Sequence, residues 1–327
     1  MAVEWLESVL AGAVQMGTVY LLASLGEIYA ERSGILNLGL EGIMIMGAAL
    51  SFLFTIAYGH ITALILVVIV GMLLSLILAV MAVSLKLNQV VVGLALTLFG
   101  LGMSGFLTHP TIRGSVLLHL NPNLPETALV IQEAPKLPEI PIPGLADIPL
   151  IGPILFKHNL LVYLALILSF LMWFILFKTR IGLSLRSVGE NPAMADALGV
   201  NVALVRYLAT MVGGALGGLA GAYLFIGFQP FWVEGMTAGR GFISLALVIL
   251  ATWNPLRAVL GSLLFGGVEV LQFRLQLIGL GAQAPQFVLM LPYIVTIVAL
   301  SLLSFESVKK RIGVPASLGI PYSREEV

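Results

Sequence analysis

Glu41 stands inside a long apolar run, ERSGILNLGLEGIMIMGA (Glu31–Ala48), with Asn37 four residues before it. An ionised carboxylate costs about 2.5–3.5 kcal/mol to place in hydrocarbon, so it turns toward protein, water or a passing solute. On one helix Asn37 and Glu41 share a face, either lining the inner half of a solute pathway or forming a hydrogen-bonded packing pair. Glu269, Gln272 and Gln276 recur at i, i+3 and i+7 in another apolar run. That polar stripe faces a pore or a neighbouring subunit. Gln229, Phe231, Trp232 and Glu234 cluster just before an undersized apolar run. Their aromatic faces can stack on a planar ring, and the amide and carboxylate can bind a ring edge or hydroxyls. Tryptophan is also the ordinary anchor at a membrane interface, and that reading is the favoured one here.

Other chemistries find no residues to perform them. His60, His109, His119 and His158 fall singly, without metal-binding spacing, and there is no cysteine to ligate, cross-link or attack. No GxxxxGK[ST] run is present, so the chain has no phosphate-cradling loop of its own. Ser-His, paired Asp and His-metal constellations are absent from the apolar runs, which argues against an enzyme. Formal net charge is zero and the basic residues are dispersed, leaving no electrostatic footprint for nucleic acid.

The elements that must position these residues are set by composition. Of 327 residues, 59% are hydrophobic and 10% charged, against about 25% charged in soluble domains. Nine apolar stretches recur: Ser8–Leu25, Gly34–Tyr58, Ile61–Leu85, Val90–Leu107, Asn159–Phe177, Ala203–Phe228, Met236–Thr252, Leu256–Ile278 and Pro285–Ser304. Crossing a layer about 30 Å thick takes roughly 20 helical residues, and bilayer-exposed backbone must satisfy its own hydrogen bonds. The expected fold class is therefore all-α, a polytopic integral membrane bundle of about nine helices, in one domain over 1–327. Glu4 and Glu7 precede the first run and no small-residue cleavage site follows it, so it is expected to be retained rather than removed as a signal peptide. The seventh run is the weakest, read as short, tilted or continued back through Met236–Arg240.

Lysine and arginine fix the orientation. With the N-terminus outside, one face collects Arg32, Lys86, Lys178, Arg180, Arg186, Arg206, Arg257, Lys309, Lys310, Arg311 and Arg324. The other has Arg113, Lys136, Lys157, Arg240 and Arg274. The first face, with the C-terminus and loop 178–206, is assigned to the cytoplasm. Loop 108–157, holding nine of the 16 prolines, lies outside and is not expected to form a regular helix. It is either a docking surface for an external partner or a connector. Within 178–206, Asn191 suits an N-cap, Pro192 the first helical position and Gly199 the residue past the end. They define a short extramembrane helix, Pro192–Leu198, that needs a surface to pack on. Gly213, Gly217 and Gly221, with Gly214 and Gly218, give the sixth run a small-residue face for close helix packing. LTLFGLG (Leu96–Gly102) and SLLFGGV (Ser262–Val268) hint at an internal duplication. Asn88 and Gln89 read as interfacial caps of the fourth run.

The run GENPAMADALGVNV, between Arg186 and Arg206, resembles the cytoplasmic coupling loop of permease subunits in bacterial ABC importers for simple sugars and nucleosides. ERSGILNLGLEGIMIMGA and GRGFISLALVILATWNPLRAVLGSLLFG (Gly239–Gly266) are similar to the nucleoside branch of that family, and the three motifs occur in order along nearly the whole chain. The resemblance implies an inner-membrane subunit that moves nucleosides inward through alternating access. It further implies a cytoplasmic ABC ATPase that binds the ATP, a second and related permease, and an extracytoplasmic solute-binding protein. Arg186, Glu190, Asn191, Pro192 and Asp196 would then carry the coupling to the ATPase. Asn37, Glu41, Gln229, Phe231, Trp232, Glu234, Glu269 and Gln272 are the candidate pathway residues, and no cofactor or metal is expected in this chain. A simple sugar such as ribose is the alternative solute. An ion-coupled secondary transporter shares the composition, but calls for more acidic or histidine relays than Glu41 and Glu269.

Overall fold

The computed structural model describes residues 2–277, 285–303 and 313–323. In chain order it forms α1 (Ala2–Arg32), α2 (Leu40–Tyr58), α3 (His60–Ala79), α4 (Gln89–Thr108), α5 (Pro110–Leu120) and α6 (Glu126–Val130). Strand β1 (Glu139–Pro141), α7 (Ile151–Leu155) and β2 (Lys157–Asn159) follow, then α8 (Leu160–Lys178), α9 (Arg180–Glu190), α10 (Pro192–Ala197) and α11 (Val202–Ala222). The chain continues through α12 (Arg240–Leu250), α13 (Pro255–Leu277), α14 (Pro285–Leu289) and α15 (Leu291–Leu303). Wider π turns, Val80–Ser84 and Tyr223–Phe228, extend α3 and α11.

Among the described residues seven helices, counted with their π turns, are long and apolar enough to cross a bilayer. They answer to seven of the nine expected segments. The seventh appears as α12, whose 11 residues reach only about 16 Å at 1.5 Å per residue; the ninth appears as α14 and α15, with residues 304–312 after it outside the described residues. Of the readings open for the seventh segment, the short helix is the one seen, and no helix continues back through Met236–Ala238. Residues 234–239 are turn, and Ala238 and Gly239 lie at φ 45° and 81°, where a helix cannot propagate. Conversely, α1 runs past Leu25, because two polar residues that interrupt its apolar pattern find partners within the fold. Glu27 Oε1 accepts the Asn37 backbone N–H at 3.1 Å, and Glu31 Oε2 accepts the Trp253 indole N–H at 2.5 Å.

Packing follows the glycines of α11, and their two spacings serve different neighbours. A Cβ at Gly214 would stand 2.2 Å from the Gly71 carbonyl oxygen on α3, and one at Gly221 would stand 1.8 Å from that of Met44 on α2. Gly213 faces Gly26 and Ala30 of α1, while Gly217 faces Leu40 and Ile43 of α2. The helix is thus buried among α1, α2 and α3, with backbones closer than any side chain allows.

The two ends of the bundle differ in chemistry. At one, Arg32 donates to the carbonyls of Thr252, Trp253 and Gly313, Arg206 donates to those of Ser33 and Ile320, and Lys86 reaches Ser323. Lys309, Lys310, Arg311 and Arg324, assigned to the same face, lie outside the described residues. At the other end Tyr58 donates to the Leu120 carbonyl and Asn121 to that of Ala57. The proline-rich stretch 108–157 is more ordered than expected. Pro110 occupies the first helical position of the 11-residue α5, where it lacks only an N–H that would go unused, and β1 pairs antiparallel with β2, Glu139 opposite Asn159.

Candidate functional site

Two chain segments re-enter the bundle from opposite ends and meet near its middle. From the basic end, residues 33–39 fold back beside α1, held by Glu27 on the Asn37 N–H, by Gln89 Oε1 on the Leu36 N–H at 2.8 Å, and by Thr97 Oγ1 on the Leu38 carbonyl. From the opposite end, residues 229–239 descend to the start of α12. Helix α2 leads away from the basic end, and α12 leads back to it. Their N-termini adjoin at Glu41, whose carboxylate accepts the backbone N–H groups of Gly239 at 2.8 Å and Gly241 at 2.6 Å. A carboxylate there neutralises the positive end of the α12 dipole and satisfies amides that have no helical partner. Gly241 is required by the approach, since a Cβ would lie 2.6 Å from the Glu41 Cα. With 11 helical residues from Arg240 to Leu250, this junction sits about 16 Å above the basic end, half-way through a bilayer core.

Beside the junction is a cavity of about 380 Å³, in which Gln229, Glu234, Arg240, Glu269 and Gln272 join Tyr20, Phe273 and Tyr293 among the lining residues. Four of the eight pathway candidates therefore come together: Gln229, Glu234, Glu269 and Gln272. Glu269 is buried and doubly held. Its Oε1 pairs with Nε of Arg240 at 2.8 Å and with Nη2, and its Oε2 accepts the Tyr20 hydroxyl at 2.5 Å. The remaining Arg240 nitrogen donates to the carbonyls of Met236 and Thr237. The guanidinium is thus consumed inside the protein, and Glu234 is the carboxyl group of the described lining that stands outside this pair.

The other four candidates stand elsewhere. Asn37 precedes α2 instead of sharing its helical face with Glu41, because the helix begins only at Leu40. It is fully buried beside Glu27, whose carboxylate accepts its backbone N–H. Glu41 acts on the cavity through α12 rather than by lining it. Trp232 neither lines the cavity nor anchors at a surface: it is 8% exposed, stacked parallel to Phe52 with centroids 6.1 Å apart and edge-on to Phe225, while the Arg113 guanidinium covers Phe52. Phe231 is half-exposed and bridges Glu133 of the proline-rich stretch. Residues 132–137 cross over the re-entrant segment here, with Trp232 N–H donating to the Gln132 carbonyl and Leu137 N–H to that of Ile226. Gln276 is half-buried and outside the lining, with its amide nitrogen unpartnered.

At the basic end α10 forms where its caps place it. The Asn191 side chain accepts the Met194 N–H at 3.0 Å, Pro192 opens the helix, and Gly199 at φ 83° follows it. Glu190 faces Arg32 at 3.9 Å, Asp196 accepts the Tyr322 hydroxyl at 3.0 Å, and Arg186 lies over the Phe177 ring at 5.3 Å. Sequence reasoning missed what α10 exposes: Met194 and Leu198, i and i+4, are 63% and 82% accessible. It also missed Arg240, placed on the outer face by the charge count and found buried at mid-bundle. The signal was the arginine between two glycines, Gly239-Arg240-Gly241, opening an apolar helix.

A polytopic helical bundle with re-entrant segments, a polar cavity at half depth and an exposed helix at its basic end is a membrane permease. The chain belongs to the family of permease components of branched-chain amino acid transport systems, whose model matches residues 9–300. It is 38% identical to a putative glucose ABC transporter permease of Haloferax volcanii, over 97% of both chains. It is 36% identical to a guanosine ABC transporter permease of Bacillus subtilis, over 92% of both, and 35% identical to a nucleoside ABC transporter permease of Lactococcus lactis, over 92% of this chain and 93% of that one. No solved structure matches the chain. It is therefore an ABC-type permease subunit of the inner membrane rather than an enzyme, and such permeases work in pairs with an ATPase.

Proposed function

We propose that this chain is the permease subunit of an ATP-driven importer for nucleosides, with the mid-bundle cavity as part of the solute pathway. The observation that carries this reading is the charge state of the lining. Arg240, the one cation among the described lining residues, is tied to Glu269 and two carbonyls, so none of the described lining residues offers a free cation to a phosphate. The polar groups Gln229, Gln272 and Glu234 suit hydroxyls and a ring edge, and Tyr20, Phe273 and Tyr293 provide flat apolar surface. About 380 Å³ falls at the lower end of the range for small-molecule sites. The names of the Bacillus and Lactococcus relatives agree with a nucleoside, and a hexose is the second reading, favoured by the name of the Haloferax relative.

In this reading α10, with Glu190, Asn191, Pro192 and Asp196 about it and Arg186 behind it, seats its Met194–Leu198 face in the ATPase, which binds the ATP. A related permease completes the pathway, and the proline-rich 108–157 face receives an external solute-binding protein. Loop 178–206 and the C-terminus lie in the cytoplasm. The testing experiment is uptake of labelled guanosine by cells carrying the complete transporter, with unlabelled competitors. Adenosine and uridine should suppress uptake, whereas guanosine monophosphate and ribose should not. Suppression by glucose and not by nucleosides would assign the hexose instead.

A further inference from the structure

Residues 313–323 run beneath the basic end and touch each element that joins α10 to the re-entrant segment. Ser317 is the centre: its N–H and hydroxyl both donate to the Gly189 carbonyl, at 2.9 and 2.7 Å, and the hydroxyl also lies 3.2 Å from that of Val188. This ties the tail to the last turn of α9, immediately before α10. Two residues on, Gly319 N–H donates to the Gly34 carbonyl at 3.0 Å, which fastens the tail to the start of the re-entrant segment. Arg206, fully buried on α11, spans both attachments, with Nε on the Ser33 carbonyl, Nη1 on that of Ile320 and Nη2 on the Ser317 hydroxyl. Tyr322 closes the chain onto Asp196 of α10, and Ser323 receives Lys86. Lys86 itself is held at φ 53°, a conformation that a non-glycine residue keeps only where its surroundings over-determine it.

Because residues 33–39 lead directly into the first turn of α2, and Glu41 in that turn holds the start of α12, these contacts form a continuous connection from α10 to the cavity wall. We infer that residues 313–323 are a transmission strap, with Ser317 and Arg206 as the positioning residues through which movement of α10 reaches the re-entrant segment and the solute cavity. This rests on the reading of α10 as the ATPase-facing element. Packed elements of this kind switch between discrete arrangements rather than deforming smoothly, so losing the strap separates ATP hydrolysis from solute movement instead of abolishing either at its source.

The test is the intact transporter, purified with its partners and reconstituted in liposomes, comparing wild type with Ser317→Ala and Tyr322→Phe for guanosine uptake and ATP hydrolysis in the same vesicles. Each substitution removes a single hydroxyl, the buried one of Ser317 or the half-buried one of Tyr322, and leaves the Arg206 contacts to the Ser33 and Ile320 carbonyls. The expected result is uptake per ATP reduced about fivefold in Ser317→Ala, the factor associated with one net hydrogen bond, with ATPase subunit content and hydrolysis retained. A smaller reduction is expected in Tyr322→Phe. Unchanged uptake per ATP in both variants overturns the strap. So does a proportional fall of uptake and hydrolysis with loss of the ATPase, which would make the tail part of the docking surface. If wild type itself retains no ATPase, the importer reading fails first and the strap falls with it.

Discussion

Arg240 and Glu269 meet in the interior with the Tyr20 hydroxyl on the second carboxylate oxygen, and the consequence is asymmetric. Removing one partner strands a buried charge, which costs about 3–5 kcal/mol, whereas removing both is often near neutral. Arg240→Met and Glu269→Leu should each lower the thermal midpoint of the detergent-solubilised protein sharply, and the double variant should recover most of the loss. Additive losses in that cycle would show that the two charges are not coupled. Glu41→Gln keeps the shape but offers one acceptor where two N–H groups point, so uptake should fall about tenfold at normal expression, the effect of one charge-assisted hydrogen bond. Wild-type uptake would remove Glu41 from the pathway's support. Burial is the largest influence on the His158 imidazole and pushes it below its ordinary value, outweighing the opposing pull of the Ile154 carbonyl, to which the ring donates, and of the Glu139 carboxylate. The unfolded chain therefore takes up a proton from about pH 6.5 downward while the folded one does not. This contribution to stability is fully present above that pH and is lost as the pH falls toward the depressed value. His158→Gln should flatten the decline in thermal midpoint between pH 7 and 5, and an identical decline in the variant would refute the assignment. At this scale the sequence shows which residues are out of place in an apolar run, as with Glu41 and Glu269. It does not show their partners, because Tyr20, Arg240 and the Gly239 and Gly241 amides come from distant parts of the chain.

Among the elements, those with local signals were legible and those defined by a backbone detour were not. The caps Asn191 and Asn88 stand where the residue types place them, each accepting backbone N–H groups of its helix. The glycines of α11 announced close packing, but the division between α1, α2 and α3 is a property of the three-dimensional arrangement. Gly221→Ala or Gly214→Ala places a methyl against a backbone carbonyl, an overpacking change of about 1–3 kcal/mol. A lowered thermal midpoint is expected in both, while Gly102→Ala, with open space around it, should behave as wild type. Equal behaviour of all three would contradict the packing. Residues 34–39 and 236–239 were absorbed into apolar runs because they carry enough apolar residues to extend their neighbours, whereas 229–235 stood out as an interruption. Hence Asn37 was put on a helix it precedes, and Trp232, beside a cavity, turns instead to Phe52 and Phe225. For α10, Asn191→Ala with Pro192→Ala removes the cap and the preset first turn, which together should cost about 1–2 kcal/mol of local helix stability. Loss of ATP-driven uptake with undiminished membrane insertion is expected, and unchanged uptake would withdraw α10 from coupling.

For the whole molecule, composition alone established a helical membrane protein, and the gathering of Arg32, Lys86 and Arg206 at one end accords with the positive face. The number of full crossings was not legible. A half-length helix such as α12 is stable only because Glu41 and the surrounding helices satisfy a terminus that lipid cannot, and nothing in a hydropathy profile records that support. In the proposed importer, alternating access would move α12 and the two re-entrant segments within the frame of long helices.

As proposed, this permease moves a neutral nucleoside through that frame on energy supplied by an ATPase, and guanosine uptake into liposomes tests it most directly, with the chain and its co-purifying partners reconstituted, ATP supplied on the ATPase side and ionophores present throughout. Uptake should require ATP and all subunits and be indifferent to ionophores. Uptake by this chain without ATP, collapsing when the ion gradient is dissipated, would contradict it.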